Sequence, residues 1–224
     1  MTVATSDKSS IYGVLLAAGQ SRRFGETNKL LAEIDGVPLV RRVAERLLGS
    51  RLANVVVVTG FESERVEEAL SSLQVQFVDN PDFESGLASS LRQGIDGVSD
   101  EASGAMIALG DMPGLTTALV DQLIDAFEGE ESDKIVLPTL DGRQRNPVIW
   151  PKRYFAPLLS LEGDSGAKGL ISANMDVVLS VPVEDDAVFR DIDEPADLAK
   201  WDGGAGAANL EGVVQRNPGT QTGG

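Results

Sequence analysis

The chain contains neither cysteine nor histidine among its 224 residues. The absence of cysteine excludes disulfides and thiolate nucleophiles. The absence of both residue types excludes zinc sites built from cysteine and histidine, and a Ser-His-Asp triad would have no base. A metal ion in this protein must therefore be held by oxygen ligands, which is the donor type that Mg²⁺ prefers.

Basic residues and long apolar runs are also scarce. The chain has 19 Lys and Arg against 35 Asp and Glu, which gives a formal net charge of −16. Nucleic-acid-binding domains usually present a basic surface, so this balance argues against nucleic acid as a partner. No apolar run approaches the roughly 20 residues that span a bilayer, and the N-terminal segment MTVATSDKSS lacks the apolar stretch of a signal peptide. We therefore expect a cytoplasmic protein that does not enter a membrane.

The remaining pattern predicts one folded domain between two irregular ends. Residues 1–10 are polar and are expected to form a flexible leader. Residues 203–224 are rich in glycine and lack a sustained hydrophobic period, which is typical of a disordered tail. Residues 11–202 alternate short apolar runs with amphipathic stretches, and their number suits a single domain.

This alternation predicts an α/β fold. The apolar runs are rich in Val, Ile and Leu, as in strands buried on both faces. Repeated β-α-β units imply a Rossmann-like, three-layer arrangement in which helices cover a mostly parallel central sheet. Strands are predicted at 11–17, 54–59, 75–78, 105–109, 134–138, 146–150 and 177–182, and helices at 38–48, 62–73, 86–97, 116–129, 152–161, 167–173 and 195–201.

The segment after the first predicted strand, GQSRRFGETNKLL, has the composition of a phosphate-binding loop. Gly19 has no Cβ, so the backbone can approach a ligand closely and point its N–H groups at phosphate oxygens. Ser21 adds a hydroxyl donor, and Arg22, Arg23 and Lys29 add positive charge. The spacing is neither that of a Walker A loop nor that of a Rossmann fingerprint. A solvent-exposed basic turn after a core strand is the alternative interpretation.

Carboxylates follow two other apolar runs. Asp111 comes after the strand at 105–109, and Asp191 and Asp193 lie in DIDEPADL. A carboxylate at the carboxyl end of a strand, beside bound phosphates, can hold Mg²⁺ with few protein ligands and several waters. Each residue also has a structural interpretation: Asp111 suits the cap of a turn, and Asp193 suits the N-cap of a helix that begins with Pro195.

Taken together, these segments resemble a known family. LAAGQSRRFG followed by NKLL resembles the signature loop of the nucleotidyltransferases that build molybdenum dinucleotide cofactors. The pattern L-A-A-G-x-S-x-R-F-G-x-x-x-K-L-L is similar to the cytidylyltransferase branch, because the guanylyltransferase branch usually has Gly at the position of Ala18. GDMP at Asp111 and DID-x-P-x-DL at Asp193 resemble the metal-binding and closing motifs, with Glu194 where Thr is common. The resemblance extends over roughly residues 12–201.

The resemblance implies a fold of the nucleotide-diphospho-sugar transferase type. It implies transfer of CMP from CTP to the terminal phosphate of molybdenum-bearing molybdopterin, with release of pyrophosphate. The substrates would then be CTP and molybdopterin, and the product would pass to a molybdoenzyme or its maturation chaperone. Mg²⁺, or alternatively Mn²⁺, would bind Asp111 and Asp193, and Arg23, Lys29 and Asp111 would be catalytic. The nucleotide contacts implied are Leu16, Ala17, Ala18, Gly19, Ser21, Arg23, Lys29, Ser85 and Asp111.

Two further segments resemble the acceptor side of the family. In GRQRNPVIW, Asn146 is the implied acceptor contact, and Arg145 stands where the family usually has Gly. In LEGDSGAKG the implied contacts are Asp164, Gly166 and Lys168; the last replaces an Arg and keeps the charge without its bidentate fork. ESGLASSLRQG resembles the segment along the nucleotide groove, where Ser85 could equally be only a helix N-cap.

Other functions stay open at this point. A related transferase could use GTP, or could act on a sugar phosphate, a polyol phosphate or a flavin. A non-enzymatic carrier or insertion partner could bind nucleotide without turnover, and a glycosyltransferase of similar fold is a more distant alternative. The basic loop argues against the glycosyltransferase, and the combination of Lys29, Asp111 and Asp193 favours catalysis. Pyrophosphate release separates the transferases from the carrier.

Overall fold

The computed structural model describes residues 8–21, 24, 27–129, 133–164, 166–192, 194–199 and 201. Of the expected leader, residues 8–10 are described. Lys8 Nζ donates to the carbonyl of Ser50, and the N–H of Ser9 donates to the carbonyl of Arg51 at 2.7 Å. Residues 1–7 and the expected tail at 203–224 lie outside the described residues. Within the described ranges, no helix is long and apolar enough to cross a bilayer.

A central sheet organises the fold. Its strands run in the order β10-β7-β9-β6-β1-β4-β5, with β8 paired to β7, and β2 and β3 form a separate hairpin. Neighbouring strands along this order are parallel except around β9, which is antiparallel to both β6 and β7. The strands are β1 (Ile11–Leu16), β2 (Glu33–Ile34), β3 (Val37–Pro38), β4 (Val55–Thr59), β5 (Gln76–Asp79), β6 (Gly104–Leu109), β7 (Ile135–Leu140), β8 (Arg143–Gln144), β9 (Val148–Pro151) and β10 (Val178–Pro182).

Helices cover both faces of this sheet. Alternate residues of each central strand point to opposite faces, so Leu15 of β1 packs with the first group of helices and Val14 with the second. The first group is α1 (Leu39–Leu48), α2 (Ser63–Leu70) and α4 (Thr117–Glu128), and the second is α3 (Leu87–Asp96), α5 (Phe155–Leu159) and α6 (Lys168–Ala173). A last helix, α7 (Pro195–Ala199), follows β10.

Local sequence explains how α3 is placed against the sheet. Gly94 lies in the C-terminal half of this helix, where a Cβ would be 2.4 Å from Val14 Cγ1 and 3.1 Å from Val58 Cγ2. Only glycine therefore lets α3 approach β1 and β4 this closely. The close approach holds the N-terminus of α3 beside the carboxyl ends of these two strands, where the predicted phosphate loop begins.

The predicted elements are confirmed in kind, with changes at their ends. Helix 152–161 is a 3₁₀ turn at Lys152–Tyr154 followed by the short α5. Helix 62–73 ends at Leu70, where two serines of lower helix propensity follow. The strand predicted at 146–150 begins only at Val148, and it runs antiparallel to its neighbour β6. The β2–β3 hairpin was not predicted.

Candidate active site

A cavity of about 550 Å³ opens at the carboxyl edge of the sheet. Its volume is in the range of small-molecule sites. One wall is the loop after β1, another is the end of β6, and the third is the segment that leads into α3. The lining residues are Leu16, Ala18, Gly19, Gln20, Ser21, Lys29, Leu30, Phe83, Glu84, Ser85, Gly86, Leu87, Ser90, Leu109, Gly110, Asp111 and Asp164.

Most residues with a predicted nucleotide contact are brought together here. Leu16, Ala18, Gly19, Ser21, Lys29, Ser85 and Asp111 all line the cavity. Ala17 does not, because it is buried in the core and donates its N–H to the carbonyl of Val58 at 2.9 Å. Arg23 lies outside the described residues.

Lys29 and Asp111 meet at the centre of this arrangement. Lys29 Nζ donates to Asp111 Oδ2 at 2.7 Å, and the two side chains are only 10% and 21% exposed. Lys29 begins a 3₁₀ turn whose N-cap is Asn28. Asn28 Oδ1 accepts from the N–H of Leu30 at 3.0 Å, and its Nδ2 donates to the carbonyl of Phe61 at 3.4 Å. The sequence interpretation missed Asn28, although asparagine before a helical turn is a recognisable cap signal.

The second carboxylate oxygen of Asp111 receives no hydrogen bond from the described residues. Asp111 Oδ1 is buried and has no hydrogen-bond partner in the described part of the chain. A buried carboxylate oxygen without a donor is unfavourable, so a bound cation or a ligand donor would stabilise it. This single carboxylate fits Mg²⁺ held mainly by phosphates and waters. The described residues include no cluster of three or more acidic side chains that could form a closed metal cage, and Asp193 lies outside the described residues.

The start of α3 is held by the loop that contains Gly163 and Asp164. The N–H of Leu87 donates to Asp164 Oδ1 at 3.3 Å, and the N–H of Ala88 donates to the carbonyl of Gly163 at 3.1 Å. Gly86 has a φ of 113°, and a Cβ there would lie 2.7 Å from the Gly163 oxygen. Asp164, a predicted acceptor contact, therefore caps this helix and lines the cavity at the same time.

Asn80 fixes the same wall from inside the fold. It is fully buried, and its Nδ2 donates to Ser89 Oγ at 2.9 Å and to Ser90 Oγ at 3.0 Å. Its Oδ1 accepts from the N–H of Asp82 at 3.1 Å. Sequence reasoning missed this residue because an Asn-Pro pair is usual in surface turns.

Ser85 is not the N-cap that sequence offered as an alternative. Gly86 occupies the N-cap position of α3. Ser85 Oγ instead donates to the carbonyl and the carboxylate of Asp82, at 2.8 and 2.9 Å. Ser85 therefore lines the cavity as part of the turn before the helix.

The other predicted acceptor contacts do not line this cavity. Gly166 is buried against α3, where a Cβ would be 2.8 Å from Leu87 Cδ2. Lys168 is exposed at the start of α6. Asn146 precedes β9 and is joined to Pro147 by a cis peptide bond. None of these three lines the cavity, whereas Asp164 does.

Residues 13–178 match the model of the MobA-like NTP transferase domain. A probable molybdenum cofactor guanylyltransferase from Natronomonas pharaonis is 28% identical, over 84% of this chain and 95% of its own length. The nicotine blue oxidoreductase of Paenarthrobacter nicotinovorans is also 28% identical, over 84% and 94%. The molybdenum cofactor cytidylyltransferase of Escherichia coli is 25% identical, over 85% and 94%.

A solved structure shares the whole architecture. The crystal structure of a homologue of Mycobacterium tuberculosis Rv0371c, from Mycobacterium sp. strain JC1, matches with a TM-score of 0.75 and 28% identity, over 86% of this chain and 95% of that one. This match confirms the predicted single α/β domain of the nucleotide-diphospho-sugar transferase type. With the family model matched over 13–178, more than half of its length, the chain belongs to the family of MobA-like NTP transferase domains, which are nucleotidyltransferases.

Proposed function

We propose that this protein transfers CMP from CTP to the terminal phosphate of molybdenum-bearing molybdopterin and releases pyrophosphate. The observation that carries the proposal is the contact of Lys29 with Asp111 inside the cavity at the carboxyl edge of the sheet. A cation and a carboxylate side by side are what a nucleoside triphosphate and its divalent ion require. The product would pass to a molybdoenzyme or to its maturation chaperone.

The reaction needs no histidine. An oxygen of the acceptor phosphate attacks the α-phosphorus of CTP, and a new P–O bond forms. The bond from that phosphorus to the bridging oxygen breaks, and pyrophosphate leaves with the electron pair. Because the acceptor phosphate is already an anion, it needs little help from a general base. Catalysis then depends on positioning the two substrates and on neutralising charge.

Lys29 supplies that neutralisation in the proposed mechanism. Its ammonium group would contact the β- and γ-phosphates and stabilise the departing pyrophosphate. Its side chain is only 10% exposed, so water and salt screen its charge weakly. Arg23 is assigned the same task on the family resemblance. Gly19 and Ser21 would offer backbone and hydroxyl donors from the loop after β1.

Asp111 is the proposed ligand of Mg²⁺ or Mn²⁺, with Asp193 as its proposed companion. When bound, such an ion offsets phosphate charge as a Lewis acid. The protein would supply Asp111 Oδ1 as the metal ligand, because this oxygen has no partner among the described residues. The other oxygen, Oδ2, accepts a hydrogen bond from Lys29. Asp111 would therefore hold the divalent ion that accompanies the nucleotide, while Lys29 would contact the phosphates.

Ala18 supports the choice of cytidine over guanosine. Its methyl group is 2.9 Å from the position that a Cβ on Gly60 would take, and Phe83 Cβ is equally close to that position. The methyl group of Ala18 is thus buried against the segments at Gly60 and Phe83. The preference for cytidine rests on the family resemblance, in which the guanylyltransferase branch usually has Gly at the position of Ala18. The relatives include both a guanylyltransferase and a cytidylyltransferase, so the nucleotide requires a direct test.

The decisive measurement is pyrophosphate release with Mg²⁺, for each of the four ribonucleoside triphosphates, with and without molybdenum-loaded molybdopterin. We expect release only when CTP and the acceptor are both present. A preference for GTP would overturn the cytidylyl assignment and leave the transferase intact. Nucleotide binding without pyrophosphate release from any of the four would favour the non-enzymatic carrier.

A further inference from the structure

A bulge separates β8 from β9 along their shared neighbour β7. The register of β8 continues through Arg145, whose N–H donates to the carbonyl of Pro138 at 2.9 Å. β9 resumes the pairing two residues out of that register, with Ile149 opposite Val136. Residues 145–147 therefore form the bulge, a feature that often occurs next to active sites and redirects side chains.

Two arginines share one face of this strand. Arg143 lies opposite Leu140, and Arg145 is bonded to Pro138 two residues further along β7. Residues two apart in a strand point to the same face. Gln144, between them, points to the other face and donates its Nε2 to Met175 Sδ at 3.4 Å. The backbone pairing therefore places Arg143 and Arg145 on one face of the chain, with Arg143 exposed and Arg145 half-buried.

The arginine pair belongs to the same edge of the sheet as the cavity. β9 starts at Val148, which lies opposite Ile107 of β6. Because the two strands are antiparallel, the residues before Val148 lie towards the carboxyl end of β6, which leads into Asp111. The bulge is therefore next to the strand end that forms one wall of the cavity.

Neither guanidinium has a hydrogen bond or an ion pair with any described residue, and Arg145 Nε is buried without a partner. Arg41, Arg42 and Arg51, by contrast, all contact carboxylates. The buried Nε–H of Arg145 is removed from water without an acceptor, which is unfavourable, and a bound anion would remove that cost.

We propose that Arg143 and Arg145 bind a phosphate monoester dianion, which in the proposed reaction is the phosphate of the acceptor. Two planar guanidinium groups match phosphate oxygens with bidentate hydrogen bonds. The identity of the anion as the acceptor rests on the proposed function, but the anion site does not.

The anion site is tested without any turnover. The full-length protein is treated with phenylglyoxal, with and without inorganic phosphate, and the modified arginines are located by mass spectrometry. Phosphate is expected to slow the modification of Arg143 and Arg145. Arg46, exposed on α1, is the control and should react equally in both conditions. Equal modification of Arg143 and Arg145 with and without phosphate would overturn the proposal.

The role in the reaction is tested by the double variant R143Q/R145Q against R46Q. The KM for the acceptor is expected to rise at least about tenfold in the double variant, while the KM for CTP and the melting temperature stay unchanged. A KM that rises equally for both substrates would overturn acceptor binding. If the wild-type protein releases no pyrophosphate, the proposed function fails, and the protection experiment still decides the anion site.

Discussion

The N–H of Ile192 donates to the carbonyl oxygen of Asp111 at 3.1 Å. The side chain of Ile192 is buried in a small apolar cluster with Phe24, Ile34 and Leu39. The backbone of Ile192 is therefore bonded to the residue range that follows β6. Its side chain packs in the cluster that contains Phe24 of the loop after β1. The backbone position of Asp111 is thus fixed by a segment that lies far from it along the chain.

Replacing Lys29 should remove most of the activity. In Lys29→Ala, the charge that would stabilise the leaving pyrophosphate is lost, and we expect kcat to fall by about 10² to 10³. The fold should survive, because the side chain caps no helix and the backbone of the turn is held by Asn28. Steady-state pyrophosphate release and a thermal melt measure the two effects. Arg46→Ala is the control, and an unchanged rate in Lys29→Ala would remove this residue from the mechanism.

Asp111→Asn should abolish the dependence on Mg²⁺ together with the activity. The amide has nearly the same shape, and the backbone bond to Ile192 is kept, so stability should change little. Mn²⁺ binding followed by electron paramagnetic resonance gives a readout besides turnover. Asp125→Asn, at an exposed carboxylate that pairs with Arg51, is the matched control. Wild-type kinetics and wild-type Mn²⁺ binding in Asp111→Asn would refute the metal role.

Gly86→Ala should be much more destabilising than Gly142→Ala. Both glycines have positive φ, 113° and 72°, but nothing lies within 4 Å of a Cβ on Gly142. Strain alone costs roughly 1–2 kcal/mol at such positions. At Gly86 the new Cβ would also meet the Gly163 oxygen at 2.7 Å. We expect Gly86→Ala to lose at least about 3 kcal/mol and to raise the KM for CTP, since the dihedral angles there suit essentially only glycine.

Urea unfolding of the two glycine variants measures this difference directly. The stability lost in Gly142→Ala represents backbone strain in an open turn. The additional stability lost in Gly86→Ala represents the contact with the loop that contains Gly163 and Asp164. Equal losses would mean that the loop gives way without cost, and that its contact with α3 contributes little to the shape of the cavity.

Asn80→Ala should lower the free energy of unfolding by about 2–3 kcal/mol, because two buried hydrogen bonds to Ser89 and Ser90 are lost. Gln76→Ala is the control: its exposed amide makes a single bond to the carbonyl of Gly97, and we expect a change within about 0.5 kcal/mol. Chemical denaturation compares the two. A similar small loss in both variants would contradict a structural role for Asn80 in the α3 wall.

Hydrophobic periodicity was enough to predict the parallel strands and the main helices. Val55–Thr59, for instance, is buried on both faces and lies between β1 and β5 in the sheet. Periodicity carries no information about strand direction, which is why the reversal of β9 was not predicted. The β2–β3 hairpin was missed because two-residue strands have no period, although its Asp35-Gly36 turn is a recognised hairpin signal.

The site residues that directly follow a strand could be predicted from the sequence, because the carboxyl ends of parallel strands lie at one edge of the sheet. Asp111 was placed beside the first loop because both follow neighbouring parallel strands. The burial of Lys29 was not foreseen, since a lysine in a polar loop is usually exposed. Asp164 as the cap of α3, and Asn80 behind it, depend on contacts between distant segments that no local pattern encodes.

The reversed direction of β9 changes how this strand is connected to β7. Parallel strands are joined by crossovers through a helix, so altering one of their connections displaces a whole layer of the fold. The link from β7 to β9 is instead a hairpin that turns at Asp141 and Gly142 beyond the edge of the sheet. Under the proposed assignment of Arg143 and Arg145 to the acceptor phosphate, exchanging or lengthening this one hairpin is expected to alter acceptor binding while the parallel strands that carry Lys29 and Asp111 keep their connections.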